Sequence, residues 1–150
     1  MPATQTTYNE YAPIGTLGQV VNMETANSIS RIVEDTAGIG FAVPVFQGAD
    51  DNGITAVPGT LFRGVTIADK TLVTMTGGAI DVFRQKAEAA LLTRGVIWVQ
   101  AGAAVAADAP AYFTPAGQWT SAATGNTTIP NATFDSSTPG IGLAKLRLNS

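Results

Sequence analysis

Residues 91–100 read LLTRGVIWVQ, Leu91 to Gln100, and the fold turns on them. Val96, Ile97 and Val99 are β-branched and Trp98 is aromatic, the residue types that fit a pleated, half-buried surface. The stretch reads as a strand, with Gly95 marking a bulge or a close backbone approach. Downstream, Ala111–Thr114 and Gln118–Thr120 form two short strands around Pro115-Ala116-Gly117, a hairpin spacing with Gly in the loop. Ser121–Thr128 is polar and turn-rich, and Ala132–Phe134 and Ile141–Leu148 complete the chain as strands.

Upstream the signals are also of strands. Gln19–Asn22 is short and apolar, and Ser28–Glu34 carries β-branched residues before a turn at Asp35–Gly38. Ile39–Phe46 is apolar but contains Pro44, which predicts an edge strand or a bulge. Gly48–Gly53 is a loop, expected to turn with Gly53 at positive φ. Leu61–Ala68 is a further strand. Between Ala79 and Leu92, Ile80, Phe83, Ala87 and Leu91 share a helical spacing, but the poor cap at Thr76-Gly77-Gly78 and strand-like flanks favour a hairpin of Asp81–Arg84 with Ala89–Thr93. Strands recurring every 8 to 15 residues between Gly and Pro predict an all-β fold, a small barrel or sandwich.

Composition narrows the function. The chain has 150 residues, 45% hydrophobic and only 13% charged, with a net charge of −3. Ala, Thr and Gly fill 60 of the 150 positions, which leaves a thin core and favours burial by association. The eight Lys and Arg are scattered from Arg31 to Arg147, which argues against a nucleic-acid partner. With no Cys and no His, thiol nucleophiles, disulfides, Cys/His zinc sites and the commonest general base are all excluded. MPATQTTYNEYAPIG has no basic and apolar leader pattern, and the longest apolar runs, Val96–Val99 and Ala103–Ala107, fall far short of a membrane span. The expectation is a cytoplasmically made protein that uses no membrane.

No catalytic constellation emerges. Asp50-Asp51-Asn52-Gly53 resembles the start of a calcium loop, but the twelfth position is Leu61 rather than Glu. Glu34-Asp35 and Asp50-Asp51 are adjacent pairs, not carboxylates facing across a cleft. Gly77-Gly78 lacks the Gly-Lys-Ser/Thr ending of a phosphate loop, and no Ser sits in a nucleophile-elbow or Ser-x-x-Lys context. The chain is expected to have no enzymatic activity, cofactor or metal.

Residues 1–18 are interrupted by Pro13, Gly15 and Gly18 and read either as a flexible tail or as an arm that orders against a partner, preceding a single domain of residues 19–150. Tyr8 and Tyr11 suit such an arm to a partner, since Tyr offers large contact area at low entropic cost. Trp98 is expected in the core, and Trp119, beside a Gly/Pro loop, either in the core or at a partner surface.

Four blocks now stand in order: SRIVEDTAGIGFAVPVFQG (30–48), FRGVTIADKT (62–71), LLTRGVIWVQAGAAVAADAPAYFT (91–114) and PNATFDSSTPGIGLAKLRL (130–148). Together they resemble the small cement, or decoration, proteins of tailed-phage capsids, over about Gly18–Leu148. That resemblance implies a small β-barrel or β-clip-like domain with an extended N-terminal arm. It implies attachment to the outside of an assembled head, with the major capsid protein as partner and self-association as a trimer or a dimer. By position, Thr6, Tyr8, Tyr11 and Ile14 fall in the partner-binding arm, with Trp119 a further contact. Gln85-Lys86-Ala87-Glu88 departs from the Gly-containing turn expected in that hairpin. Two other classes compete: a tail or fibre module binding a host glycan through Trp98, Trp119 and Tyr112, and a nucleotide hydrolase on a β-clip scaffold, whose metal-binding and phosphate-gripping motifs are missing.

Overall fold

The computed structural model describes residue 4, residues 15–71 and residues 81–149. These residues form eleven strands and no helix. The first six are β1 (Asn27–Val33), β2 (Ile39–Gly40), β3 (Pro44–Gln47), β4 (Gly53–Thr55), β5 (Phe62–Thr66) and β6 (Val82–Phe83). The rest are β7 (Glu88–Ala101), β8 (Pro110–Phe113), β9 (Trp119–Thr120), β10 (Thr127–Phe134) and β11 (Gly142–Leu148).

The long strand β7 organises the whole. Its first half pairs with β1, from Ser28↔Leu92 to Ile32↔Glu88, and with β5 at Val65↔Leu92 and Thr66↔Leu91. The neighbours β5, β3, β4 and β1 then close a five-stranded barrel, with β4 parallel to β1. Its second half pairs with β11, from Leu148↔Gly95 to Gly142↔Ala101. From there β10, β8 and β9 lead round to β7 again, closed by one parallel pair, Ala101↔Trp119. Closing a sheet in this way removes exposed strand edges.

Gly95 marks the handover. Its φ is 128°, and a Cβ there would press on Ala26. Just before it the register slips: Ser28 faces Leu92 but Asn27 faces Arg94, so β7 carries one extra residue. Strict alternation would send Leu92 and Ile97 to opposite faces, yet both lie in the same core cluster. The bulge flips the strand, as one inserted residue must. One cluster fills the first barrel around Val33, Phe41, Val45, Ile54, Phe83 and Leu91. The larger one joins Ile97, Val99, Trp119, Phe134 and Leu146 to Phe46, Val65 and Leu92 from the first barrel, so the two barrels share packing.

One local expectation is met and two change. Of the edge or bulge expected at Pro44, the structure has the bulge, at Val45/Phe46; Ala42 turns the chain at φ 56° after β2 and leaves Pro44 as the first residue of β3, which is not an edge strand. That is a position where a missing N–H costs no ladder bond. The predicted 81–84/89–93 hairpin does not pair. Instead β6 pairs with β2, Phe83 opposite Ile39, and a turn at Arg84–Ala87 hands the chain to β7. Phe83 is drawn away because it completes the first core edge-on to Phe41, with ring centroids 5.4 Å apart. Finally, Gly53 does not have positive φ. It is glycine because a Cβ would overlap the Glu34 carboxylate.

Candidate interaction surfaces

The chain from Gly15 to Val21 is the first surface of interest. Leu17-Gly18 turn, with Gly18 at φ 79° and the Gln19 N–H donating to Thr16 O at 3.0 Å. The segment then runs along β7: Gly18 N–H donates to Trp98 O, Trp98 N–H to Gln19 O and Val21 N–H to Val96 O, each at 2.9 Å. Ala68 N–H donates to Gly18 O, also at 2.9 Å, which ties the segment to the stretch after β5. Within the expected arm, Gly18 is therefore bonded to the barrel and Gly15 is packed against Trp98. Thr6, Tyr8, Tyr11 and Ile14 lie outside the described residues.

This segment explains Trp98. The indole is 8% exposed, but it belongs to neither core cluster. It projects from the face of β7 opposite Ile97 and Val99, where Gly15 packs so closely that a Cβ would overlap the indole Nε1 and Cδ1. The Lys145 ammonium lies 5.6 Å from the ring centroid, a cation–π arrangement. Trp98 is thus buried as expected, outside the two clusters and beneath the N-terminal segment.

Trp119 goes the other way. It is 1% exposed, its Nε1–H donates to Ala42 O at 2.8 Å, and it meets Phe113 edge-on at 5.2 Å. As a buried core anchor it offers no face to a partner, which corrects the contact expected of it. The expected hairpin holding it does form, with Phe113↔Trp119 and Tyr112↔Thr120 paired around Gly117 at φ 91°. An aromatic platform of Trp98, Trp119 and Tyr112 is not assembled, since one indole is in the core and the other lies under residues 15–19.

A second anchor secures the N-terminal segment. The Arg147 guanidinium bridges Glu24, at 2.7 and 3.2 Å, and Asp135, at 3.2 Å. The hydrogen bond from Arg147 is the largest cause holding the Glu24 carboxyl below its usual range, and the two carboxylates raise the guanidinium in turn. Lys70 pairs with Asp81 at 3.2 Å, across the two ends of the 72–80 segment.

Loop organisation depends on two adjacent carboxylates, Glu34 and Asp35. Glu34 accepts from the N–H groups of Ala49 and Asp50, both at 2.8 Å, and shapes the 48–53 loop. Asp35 accepts from the Thr55 hydroxyl at 2.6 Å and Ala56 N–H at 2.8 Å. No sequence motif signals these bonds, because their partners, three backbone N–H groups and the Thr55 hydroxyl, lie 15 to 21 residues away. A cleft of about 300 Å³ is lined by residues of both barrels, among them Ile29, Phe62, Arg63, Asn131, Leu148 and Asn149. Its one cation, Arg63, donates to Gln47 at 2.6 Å. Among the described residues no group of three His, Cys, Asp or Glu is arranged to hold a metal, and no helix is long and apolar enough to cross a membrane.

Comparison with known proteins agrees with this architecture. The family model described as "Structural cement protein (E217 gp24/Pam3 gp6)" matches residues 4–149. A chain in a solved structure titled "The capsid of Myoviridae Phage XM1" superposes with a TM-score of 0.68, covering 99% of this chain and 98% of that one at 18% identity. At that identity the likeness concerns the fold. No match was found among curated proteins. With the family model covering almost the whole chain, and a fold shared end to end with a phage capsid chain, this protein belongs to the phage structural cement proteins.

Proposed function

We propose that the chain binds the outer surface of an assembled phage head and clamps neighbouring coat subunits through its N-terminal arm. The major capsid protein is its partner, and the chain also associates with itself, with a trimer the form favoured by the family resemblance and a dimer the other. Neither nucleic acid nor a membrane takes part. It is made in the host cytoplasm and acts on the virion surface without enzymatic chemistry.

The observation that carries this reading is the rooting of residues 15–21 on β7. A pull on residues 1–14 is delivered at Gly15 to a row of backbone hydrogen bonds along the strand shared by both barrels. Load is thereby spread over the most extensively paired strand of the molecule, a sound design for a clamp. Several such arms on one oligomer would raise apparent affinity by ~10²–10⁴ through effective concentration.

The test is cosedimentation of the purified chain, with and without residues 1–14, with expanded empty heads of its own phage, followed by heating of the heads. The full chain is expected to bind saturably and raise heat resistance, and the shortened chain to lose at least about tenfold in affinity. Equal binding by both would remove the arm from the mechanism, and no binding by either would overturn the outer-surface reading.

A further inference from the structure

At one end of the first barrel, Glu34 holds two oppositely charged loops side by side. Its carboxylate accepts from Ala49 and Asp50 N–H on one side, and its carbonyl accepts from Gln85 Nε2–H at 3.1 Å on the other. The first loop exposes Asp50 and Asp51, and the second exposes Arg84 and Lys86. The basic turn is set by backbone bonds: Lys86, at φ 68°, donates to Val33 O at 2.7 Å, and Ala87 N–H to Arg84 O at 3.0 Å. Among the described residues none of these four charges forms an ion pair, whereas Lys70 and Arg147 both do. Of the neighbouring charges, Asp35 is bonded to Thr55 and Ala56, while Glu88, exposed at the start of β7, is a further carboxylate without an ion pair among the described residues. Val57, one residue beyond that Asp35 anchor, is 66% exposed and adds an apolar contact at this end.

We infer that this end is an interface between copies of the chain, with Asp50 and Asp51 of one copy against Arg84 and Lys86 of the next. The pattern selects its occupant. Two positive and two negative charges are presented side by side on fixed backbones, so a partner surface of one sign would be repelled by one of the loops. A second copy, rotated about an axis beside this end, brings unlike loops together. A two-fold axis does so reciprocally and a three-fold axis head to tail. Complementarity of this kind sets register and choice of partner. The inference rests on the self-association proposed above and not on head binding, so its test contains no heads.

Sedimentation velocity of the full chain at low and high salt reads it directly. The wild type is expected to self-associate and to weaken as salt screens exposed charges. Asp50→Lys with Asp51→Lys, or Arg84→Glu with Lys86→Glu, should each lower the association constant by roughly a hundredfold, since like charges then face each other. The four changes together should restore it. Mixing the two reversed proteins in equal amounts should restore assembly about a two-fold axis but not a three-fold one, because an odd ring cannot alternate. Should a reversed protein fail to fold, Asp50→Asn with Asp51→Asn and Arg84→Gln with Lys86→Gln serve instead, each weakening association about tenfold and flattening its salt dependence. A monomeric wild type, reversed variants that assemble normally, or a fourfold variant that stays monomeric would overturn the inference.

Discussion

Single carboxylates decide more of the local structure here than their place in the sequence suggests. Glu34 accepts two backbone N–H groups, and Gly53 is the residue whose missing side chain makes room for it. Gly53→Ala should therefore displace that carboxylate and cost about 2 kcal/mol, as should Glu34→Ala. Because both remove the same bonds, the double variant should cost clearly less than their sum, and urea unfolding of the four proteins reads that coupling. Costs that simply add would show the two residues to be independent. Glu24 offers a test by pH. The Arg147 hydrogen bond lowers its folded pKa below the ordinary 4.5, so its contribution is present above that value and fades as pH falls through the folded one. Wild type should be the more stable at neutral pH, and its margin over Glu24→Gln should shrink as the pH is taken down through the lowered folded pKa. A margin that persists at low pH would mean the pair contributes through packing rather than charge.

Strands were the most legible level. The sequence pattern locates Ser28–Glu34, Leu61–Ala68, Leu91–Gln100, the Ala111–Thr120 hairpin and Ile141–Leu148, and strands occupy all five regions. Pairing was less legible. Nothing local says that Phe83 turns to Ile39 rather than to the strand that follows it, since that choice is made by the first core. Gly95 stands between these cases. A glycine in a strand announced a bulge or close approach, and the structure uses it where β7 passes from one barrel to the other. Gly95→Ala should strain a backbone region that L side chains rarely adopt, at about 2 kcal/mol. For a chain of this size that lowers the thermal midpoint by roughly 4–8 °C. An unchanged midpoint would mean that the handover tolerates a side chain.

At the scale of the whole molecule, residues 15–21 are a structural part of the barrel they bond to. Deleting residues 1–21 removes three backbone bonds to β7, the bond from Ala68, and the cover over Trp98. The shortened protein is expected to unfold at lower temperature and to fluoresce further to the red as Trp98 meets water, while Trp119 stays buried. Emission unchanged from wild type would show that residues 15–19 are not what shields the indole.

Composition and pattern were enough to establish an all-β chain and the absence of Cys and His chemistry, and the order of four sequence blocks carried the resemblance to the cement proteins. Alternation, turn residues and charge density are local quantities, so they can be read from the chain directly. Which strand pairs with which, which tryptophan is core and which is covered, and which loops come to stand beside Glu34 were settled only in three dimensions. Those outcomes depend on partners tens of residues away, chosen by how two barrels divide one strand and fill their shared packing.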